Sequence, residues 1–240
     1  MNTVIITGAS RGLGLTICEQ LLAADYQVVG IARTHTDEFK QLQQQYPGKC
    51  HFHAFDMQQT QAIHELCQQL IASYGRPWAL VNNAAIGQES ILATLHESQL
   101  HKLLQVNLEA PILMSKYLSR SMLLNGAGRV VNVTSIVAQT GFNGLSVYGA
   151  TKAGLEGFTR SLARELGKAK VTVNNVAPGY METDMTSGLQ GDKLDSIQRR
   201  SALRQLATPA DVAAAVSYLI SDAAARVTGT TITVDAGSTA

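Results

Sequence analysis

The segment Thr7-Gly8-Ala9-Ser10-Arg11-Gly12-Leu13-Gly14 joins a short apolar run that begins at Thr3 to a segment of helical period that extends to Ala23. Glycines at such a turn let the backbone approach a pyrophosphate, and the next helix offers that anion free N–H groups and the positive end of its dipole. A tight turn that merely requires glycine is the alternative. Glycines spaced four and two residues apart at the first strand–helix unit favour the nucleotide interpretation. The predicted cofactor-binding residues of the turn are Gly8, Ser10, Arg11, Gly12, Leu13 and Gly14.

Beyond this turn, short β-branched runs alternate with longer segments of helical period. The predicted strands are Thr3 to Thr7, Gln27 to Ala32, His51 to Phe55, Ala79 to Asn82, Val130 to Thr134, Val171 to Val176 and Thr231 to Val234. The predicted helices are Gly14 to Ala23, Asp37 to Tyr46, Thr60 to Tyr74, Glu97 to Met122, Tyr148 to Lys168 and Pro209 to Ser221. Strands that are almost continuously apolar indicate a parallel sheet covered by helices on both faces. We therefore predict an α/β fold with a doubly wound parallel sheet, a single domain over residues 1–240.

Two segments depart from this alternation. Pro111 lies inside the fourth predicted helix, where it should kink or break the helix. Residues 183–205 are polar, charged and weakly periodic, and we interpret them as a lid over a substrate pocket.

Composition narrows the class of partner and the compartment. Nineteen basic and eighteen acidic side chains give a net charge of +1, so no charge pattern points to nucleic acid or to an anionic membrane, and a small molecule is the expected partner. No apolar stretch approaches the roughly 20 residues of a membrane span. Three cysteines without a CxxC pair, and no signal peptide, predict a cytoplasmic protein. His51 and His53 share a strand face without a visible third ligand, so no metal site is predicted.

The end of the second predicted strand bears on the choice between NAD and NADP. An acidic side chain there accepts the ribose hydroxyls of NAD, whereas a basic one meets the 2′-phosphate of NADP. This chain has Arg33 there and no carboxylate, and Arg11 could reach the same phosphate from the glycine turn, so we predict NADP(H). Asp56 and Met57 follow the third strand and are predicted to meet the adenine, and a cap on the next helix is nearly as good an interpretation of Asp56.

Candidate catalytic residues follow later strands. Tyr148 and Lys152 are four residues apart on a predicted helix, so they share a face. Because a free tyrosine titrates at about pH 10, acid–base work at neutral pH requires a neighbouring cation that lowers its pKa. Ser135 and Asn83 come directly after strands, at the sheet edge where such folds bind ligands, and Asn107 is a poor helix former in the middle of a helix. Taken singly, each of these residues could instead cap a helix or lie on the surface without a catalytic role.

Together these residues resemble the motifs of the short-chain dehydrogenase/reductase family over essentially the whole chain. The motifs occur in the family's order: the T-G-x-x-x-G-x-G turn at 7–14, Asn82-Asn83-Ala84-Ala85, Asn107, Ser135, Tyr148 with Lys152, and Pro178-Gly179 with Thr183. One departure is Ala85, where the family usually has glycine. An added methyl is tolerated if the backbone there is not left-handed.

The resemblance implies a Rossmann fold and a catalytic tetrad of Asn107, Ser135, Tyr148 and Lys152. Tyr148 would donate a proton to the carbonyl oxygen, and Ser135 would hydrogen-bond that oxygen. Lys152 would also hold the nicotinamide ribose, and Asn107 would fix a water that feeds protons to Lys152. The residues implied to line the nicotinamide half of the cofactor are Asn83, Tyr148, Lys152, Pro178, Gly179, Met181 and Thr183.

Within the family, the chain is most similar to the 3-oxoacyl-[acyl-carrier-protein] reductases. This implies NADPH-dependent reduction of a β-ketoacyl thioester to the 3-hydroxyacyl form. The family's carrier-docking arginines fall near Gly126 and Ala169, neither of which is basic, although Arg129, Lys168 and Lys170 lie close by and could meet an acidic carrier. Two alternatives are a reductase or dehydrogenase of another small ketone, quinone or alcohol, and a nucleotide-sensing module that has lost its chemistry.

The resemblance also implies a homotetramer packed through the two long helices, 97–122 and 148–168. Both helices carry apolar residues on more than one face, as a buried interface requires. The residues that support this expectation are Leu113, Met114, Leu118, Leu155, Phe158 and Leu162.

Overall fold

The computed structural model describes residues 1–181 and 192–240, apart from the side chains of residues 192–195. Within these ranges, parallel strands form one sheet in the order β3-β2-β1-β4-β5-β6-β7. The strands are β1 (Thr3–Thr7), β2 (Gln27–Ala32), β3 (Cys50–Ala54), β4 (Ala79–Asn82), β5 (Gly128–Val133), β6 (Val171–Pro178) and β7 (Thr231–Val234). The predicted doubly wound parallel sheet is confirmed. Because the strand order reverses between β1 and β4, a crevice opens at their carboxyl ends, where such folds bind ligands.

Helices cover both faces of the sheet. Their bounds are α1 (Gly12–Ala23), α2 (Asp37–Gln45), α3 (Ile63–Tyr74), α4 (Glu97–Leu104), α5 (Ala110–Asn125), α6 (Ser146–Leu166), α7 (Asp192–Arg200) and α8 (Pro209–Ile220). Apolar residues of α1, α2 and α8 pack in one core cluster, and those of α3, α5 and α6 pack in a second. The continuous burial of β1, β4, β5 and β6 follows from this double cover.

The helix predicted over 97–122 is interrupted, as Pro111 suggested. A π-helical turn at Gln105–Glu109 separates α4 from α5, and Pro111 lies in the first turn of α5. Proline has no N–H to donate to the preceding turn, and its ring clashes with the carbonyl four residues earlier, so a regular helix cannot continue through Pro111. Single π turns often occur at functional sites. Asn107 therefore lies at an irregular position and not in a regular helix.

The predicted lid is only partly within the described residues, since 182–191 fall outside them. In the remainder, Asp192–Arg200 form the helix α7, which was not among the predicted helices, and the lid itself stays a prediction. After α7, Ser201 is buried and its hydroxyl donates to the carbonyl of Ala236 at 2.7 Å. None of the described helices has both the length and the apolar character that a membrane span requires.

A row of mostly buried polar side chains crosses the sheet from β4 to β7. Asn82, Asn132, Asn175 and Thr231 are register partners on β4, β5, β6 and β7. Asn82 Nδ2 donates to Asn132 Oδ1 at 2.8 Å, and Asn132 Nδ2 donates to Thr159 Oγ1 on α6 at 2.8 Å. The Thr159 hydroxyl donates to Asn175 Oδ1 at 2.6 Å, and Asn175 Nδ2 donates to Thr231 Oγ1 at 3.0 Å. We call these five residues the asparagine row; its bonds fix the strands on which the site is built.

Candidate active site

The glycine turn is held against the end of β4. Asn83 Nδ2 donates to the carbonyls of Thr7 and Gly8, each at 3.0 Å, and the Thr7 hydroxyl accepts from the N–H groups of Asn83 and Ala84. This approach is possible only without side chains: a Cβ on Gly8, whose φ is +68°, would lie 2.8 Å from Ala84 Cα. A Cβ on Gly14 would lie 2.7 Å from Asn83 Nδ2. Sequence reasoning missed the role of Thr7, because its partners lie more than seventy residues away.

The N-terminus of α1 suits an anion. Arg11 occupies the N-cap without a capping side-chain hydrogen bond, and the first turn of α1 has no acidic residue. Its first N–H groups are therefore without a side-chain cap, which is the arrangement that binds a pyrophosphate. The turn is also fixed from the other side, because the Thr36 hydroxyl donates to the carbonyl of Ser10 at 2.7 Å. These features fit a dinucleotide cofactor.

The residues predicted to meet the adenosine half of the cofactor lie at the ends of β2 and β3. Arg33 directly follows β2 and is exposed, as is Arg11 in the glycine turn, whose backbone is joined to β2 through Gly8 N and Ile31 O at 2.8 Å. Asp56 Oδ1 accepts from the N–H of Gln58 at 3.0 Å. The capping alternative for Asp56 was therefore wrong in detail: it closes a local turn, and the helix α3 begins only at Ile63. Met57 is buried beside this turn.

Ser135, Tyr148 and Lys152 are brought together at the carboxyl ends of β5 and β6. Ser135 lies two residues beyond β5, and its hydroxyl is hydrogen-bonded to the Tyr148 phenol. Tyr148 lies in the first turn of α6, and Lys152 Nζ is 5.7 Å from the centroid of its ring. The ammonium of Lys152 is buried and donates to the carbonyl of Val133 at 2.8 Å.

The pKa values of this group differ from the expectation for Tyr148. The Tyr148 pKa is raised above 10, because burial outweighs the opposing hydrogen bond from Ser135. Burial also lowers the pKa of Lys152 from its ordinary 10.5 to about 8. The expectation that Lys152 lowers the Tyr148 pKa was therefore wrong for this structure: the phenol is desolvated, and Lys152 bonds to a backbone carbonyl.

Asn107 is fully buried, and its side-chain amide pairs with the backbone of Ile86 as a neighbouring strand would. Its Oδ1 accepts from the N–H of Ile86, and its Nδ2 donates to the carbonyl of Ile86, both at 2.9 Å. Nδ2 also lies 3.5 Å from the Thr151 hydroxyl, which in turn donates to the Tyr148 carbonyl at 2.7 Å. Asn107 thus links the loop after β4 to the helix of Tyr148 and Lys152.

The residues implied to line the nicotinamide half follow β6. Pro178 ends this strand, Gly179 N donates to Val234 O at 2.9 Å, and Met181 packs on the core. A Cβ on Gly179 would lie 2.6 Å from Asp235 Cβ, so glycine is required here for close packing. Asp235, which sequence reasoning missed, accepts from the N–H groups of Gly237 and Thr239. Thr183 lies outside the described residues.

The structure also bears on the predictions for Ala85, Arg129 and a metal site. Ala85 does not have a positive φ, so its methyl is tolerated. Arg129 is only 3% exposed, stacks on the Trp78 ring at 4.5 Å and lies 3.7 Å from Asp222. The suggestion that Arg129 meets an acidic carrier was therefore wrong. Within the described ranges, no group of three or more His, Cys, Asp or Glu side chains is arranged to hold a metal.

The geometry defines a nicotinamide-dependent oxidoreductase of the Rossmann type, and comparisons with known proteins agree. A family model described as enoyl-(acyl carrier protein) reductase matches residues 8–239. An acetoacetyl-CoA reductase of Acinetobacter sp. is 35% identical, over 98% of this chain and 97% of that protein. The 3-oxoacyl-[acyl-carrier-protein] reductase FabG of Salmonella typhimurium is 34% identical, over 97% and 95%. A gluconate 5-dehydrogenase of Burkholderia cenocepacia, solved with NADP and tartrate, has a TM-score of 0.93 at 26% identity, over 99% and 95%.

The chain therefore belongs to the short-chain dehydrogenase/reductase family, and it is an oxidoreductase with a nicotinamide cofactor. This assignment removes the nucleotide-sensing module from the alternatives. The coenzyme form and the substrate are argued below.

Proposed function

We propose that this protein uses NADPH to reduce the keto group of a 3-oxoacyl thioester, presented on acyl carrier protein, to the 3-hydroxyacyl form. The observation that carries the proposal is the meeting of Ser135, Tyr148 and Lys152 at the edge of the sheet that also carries the glycine turn. The acetoacetyl-CoA reductase and FabG, to which the chain is similar, are both named for β-keto thioesters. A β-keto thioester is therefore the substrate class that these two relatives share.

The raised pKa of Tyr148 suits the reductive direction. A phenol that stays protonated at neutral pH can donate its proton to the carbonyl oxygen as negative charge develops there. The Ser135 hydroxyl, which contacts that phenol, can turn its single proton to the same oxygen and donate a second hydrogen bond to it. Hydride donation to the carbonyl carbon is the chemistry that a bound nicotinamide supplies.

Lys152 and Asn107 serve the proton supply in this proposal. With a pKa of about 8, Lys152 can return a proton to Tyr148 near neutral pH. Both ends of the Asn107 side chain are engaged by Ile86, so we assign the holding of a water to the main chain of Asn107. The π turn at Gln105–Glu109 supports this, because it departs from the regular pairing of helix carbonyls.

NADPH is proposed over NADH because of the charge at the end of β2. Arg33 and Arg11 are both exposed there and can meet a 2′-phosphate. The cofactor-binding set remains the one inferred from the sequence, with Asp56 and Met57 toward the adenine and Asn83, Pro178, Gly179, Met181 and Thr183 toward the nicotinamide.

An acyl chain fits the loops around this edge of the sheet. Ile91 and Leu92 on the loop after β4, Phe142 on the loop before α6 and Leu203 after α7 are all largely exposed. The first two loops are joined by Ser90 N and Gly144 O at 2.9 Å, and Leu203 N donates to Ala236 O. Apolar side chains left in solvent around a polar catalytic group favour a substrate with an apolar tail.

The proposed carrier contact rests on two lysines, and the proposed compartment rests on the cysteines. Lys168 and Lys170 are exposed on the loop before β6, and they can meet an acidic carrier as point charges. The three cysteines are unpaired and buried, which suits the reducing cytoplasm.

Turnover of a thioester panel tests the proposal. NADPH oxidation is followed with acetoacetyl groups on carrier protein, on coenzyme A and on a pantetheine mimic, and with a crotonyl thioester, a quinone, a simple ketone and a sugar acid. We expect the keto thioesters to be reduced and carrier protein to be preferred. Strong turnover of a non-thioester, or reduction of the crotonyl double bond alone, would overturn the substrate assignment.

The chemistry is tested by Tyr148→Phe. Because only the transition state uses the phenolic proton, we expect kcat to fall by a factor of about 100 or more while NADPH binding is nearly unchanged. Tyr218→Phe, which alters an exposed tyrosine on α8, is the matched control and should retain wild-type turnover.

A further inference from the structure

Glu156 is a buried carboxylate that the proposed chemistry does not use. It is 6% exposed and lies on α6, one helical turn after Lys152 and two turns after Tyr148, so it shares their face of the helix. Burying a carboxylate is costly unless hydrogen bonds compensate. Its partners should therefore show what it is for.

The closest partner of Glu156 is the amide of Gln139. Gln139 Nε2 lies 3.2 Å from Glu156 Oε1 and 3.4 Å from Oε2. Among the described side chains, the cation found at the carboxylate is Arg160, whose NH1 is 4.0 Å from Oε2 and which is mostly exposed. The short contact therefore joins Glu156 to the loop after β5 and not to its own helix.

That loop carries Ser135. A 3₁₀ turn at Ile136–Ala138 begins directly after Ser135 and ends at Gln139. The Ser135 hydroxyl accepts from Val137 N at 3.3 Å, and Ala138 N donates to the Ser135 carbonyl at 3.0 Å. The turn is thus a short rigid connection between Ser135 and Gln139.

The same turn also contacts α6 at Gly149. A Cβ on Gly149 would lie 3.3 Å from the Val137 carbonyl oxygen, so the absence of a side chain allows the turn to pack directly against the backbone of α6. Contact at Gly149 limits how closely the turn approaches the helix, and the bond to Glu156 limits how far it can rotate away. Two attachments on one helix fix the orientation of Ser135 relative to Tyr148.

We propose that Glu156 is a positioning residue, which holds the Ser135 hydroxyl against the Tyr148 phenol by accepting a hydrogen bond from Gln139. This inference rests on the proposed roles of Ser135 and Tyr148. It predicts that loss of the Glu156–Gln139 bond acts on the reaction only through Ser135.

A double-mutant cycle tests this dependence. Glu156→Ala and Gln139→Ala should each lower kcat about tenfold, with little change in the KM for NADPH, since the cofactor contacts remain. In a Ser135→Ala background, Glu156→Ala should have no further effect. An equal loss in both backgrounds, or a Glu156→Ala variant with wild-type kcat, would overturn the proposal.

Two matched variants separate positioning from folding. Glu156→Gln keeps an acceptor oxygen for Gln139 and should retain kcat within about twofold, because the same bond can form. Arg160→Ala removes only the distant, exposed cation and should behave like wild type. If Glu156→Gln loses as much activity as Glu156→Ala, the hydrogen bond to Gln139 is not what matters.

A readout without substrate keeps this test separate from the proposed function. The ionisation of Tyr148 is followed by phenolate absorbance, as the difference between each protein and its Tyr148→Phe counterpart. Because the Ser135 hydrogen bond lowers the Tyr148 pKa, Glu156→Ala should raise that pKa and Glu156→Gln should not. An unchanged Tyr148 titration in Glu156→Ala would refute the positioning role, whatever substrate the enzyme reduces.

Discussion

Lys152 is a cation that the fold buries almost completely. Its hydrogen bond to the Val133 carbonyl compensates only part of the lost hydration, and burial lowers its pKa to about 8. A group that exchanges protons near neutral pH is useful to a reductase, but a buried charge opposes folding. Function and stability therefore make opposite demands on this residue.

This conflict predicts a pH-dependent effect of Lys152→Met. Below pH 8 the lysine is charged in both states, so its burial costs folding free energy on the order of 3 kcal/mol. Between pH 8 and 10.5 the folded state binds fewer protons than the unfolded state, so this cost fades as pH rises. We expect Lys152→Met to be more stable than wild type at pH 7 and to lose most of that advantage by pH 10.

Urea unfolding at the two pH values measures the effect. Lys116→Met, at an exposed position on α5, is the control and should change stability little at either pH. A Lys152→Met protein that is equally destabilised at both pH values would contradict the prediction.

Coenzyme choice is also decided by single residues. Arg33→Asp replaces a 2′-phosphate partner by a repelling carboxylate, so we expect the KM for NADPH to rise at least tenfold while the KM for NADH changes little. Arg76→Asp introduces the same charge change at an exposed site before β4 and should leave both values unaltered. Steady-state kinetics with both coenzymes decide the matter, and a wild-type preference for NADH would refute it.

The sequence predicted residues whose signal is local spacing, and it missed those whose partners are distant. The glycine turn and the pair Tyr148 and Lys152 are visible within a few positions. Thr7 and Glu156 act on segments that lie far along the chain, so nothing near them in the sequence shows their roles. The pKa of Tyr148 depends on burial, which spacing does not report.

At the scale of elements, the asparagine row makes β4 to β7 depend on one another. Asn132 is fully buried at its centre and has a partner on each side. Replacing it by valine removes both bonds and leaves the partners less satisfied. We expect Asn132→Val to lower the free energy of unfolding by about 2 kcal/mol.

Thr172 offers the opposite case within the same sheet. It is buried in β6, and its hydroxyl has no hydrogen-bond partner among the described residues. Thr172→Val should therefore leave stability within about 0.5 kcal/mol of wild type or increase it. Chemical denaturation of both variants tests the pair, and a larger loss for Thr172→Val than for Asn132→Val would contradict this account of the row.

Most strand and helix positions followed from the apolar pattern, but two features did not. The π turn at Gln105–Glu109 contains Asn107, whose bonds to the distant Ile86 are not visible in the local sequence, although Pro111 indicated an irregularity nearby. The helix Asp192–Arg200 is strongly polar, so its sequence lacked the apolar period on which the predictions relied.

At the scale of the whole molecule, the homotetramer remains a prediction, and fewer residues support it than the sequence suggested. Met114, Leu118, Leu155 and Leu162 are buried in the chain's own core, so they cannot form an interface. Leu113 and Phe158 are half-buried, and Leu123 and Leu124 at the end of α5 are exposed. Leu113 and Phe158 are therefore what remains of the six residues on which the prediction rested, and Leu123 and Leu124 add exposed apolar surface on α5.

Light scattering at micromolar concentration should report a tetramer for the wild type. Phe158→Arg should yield a smaller species, because a charge on α6 opposes burial between subunits. Tyr218→Arg, on α8 at the opposite face of the sheet, is the control and should keep the wild-type mass. A wild-type monomer would refute the tetramer.

The asparagine row also provides a natural hydrogen-exchange probe. The side-chain amides of Asn82, Asn132 and Asn175 are almost fully buried and bonded to one another through the row. Their protons can exchange with solvent only when the sheet opens. In D₂O their NMR signals should therefore persist much longer than those of surface amides, and the free energy calculated from their protection should equal the free energy of unfolding. Side chains usually exchange too fast to report on global stability, and in this protein three of them should measure it directly.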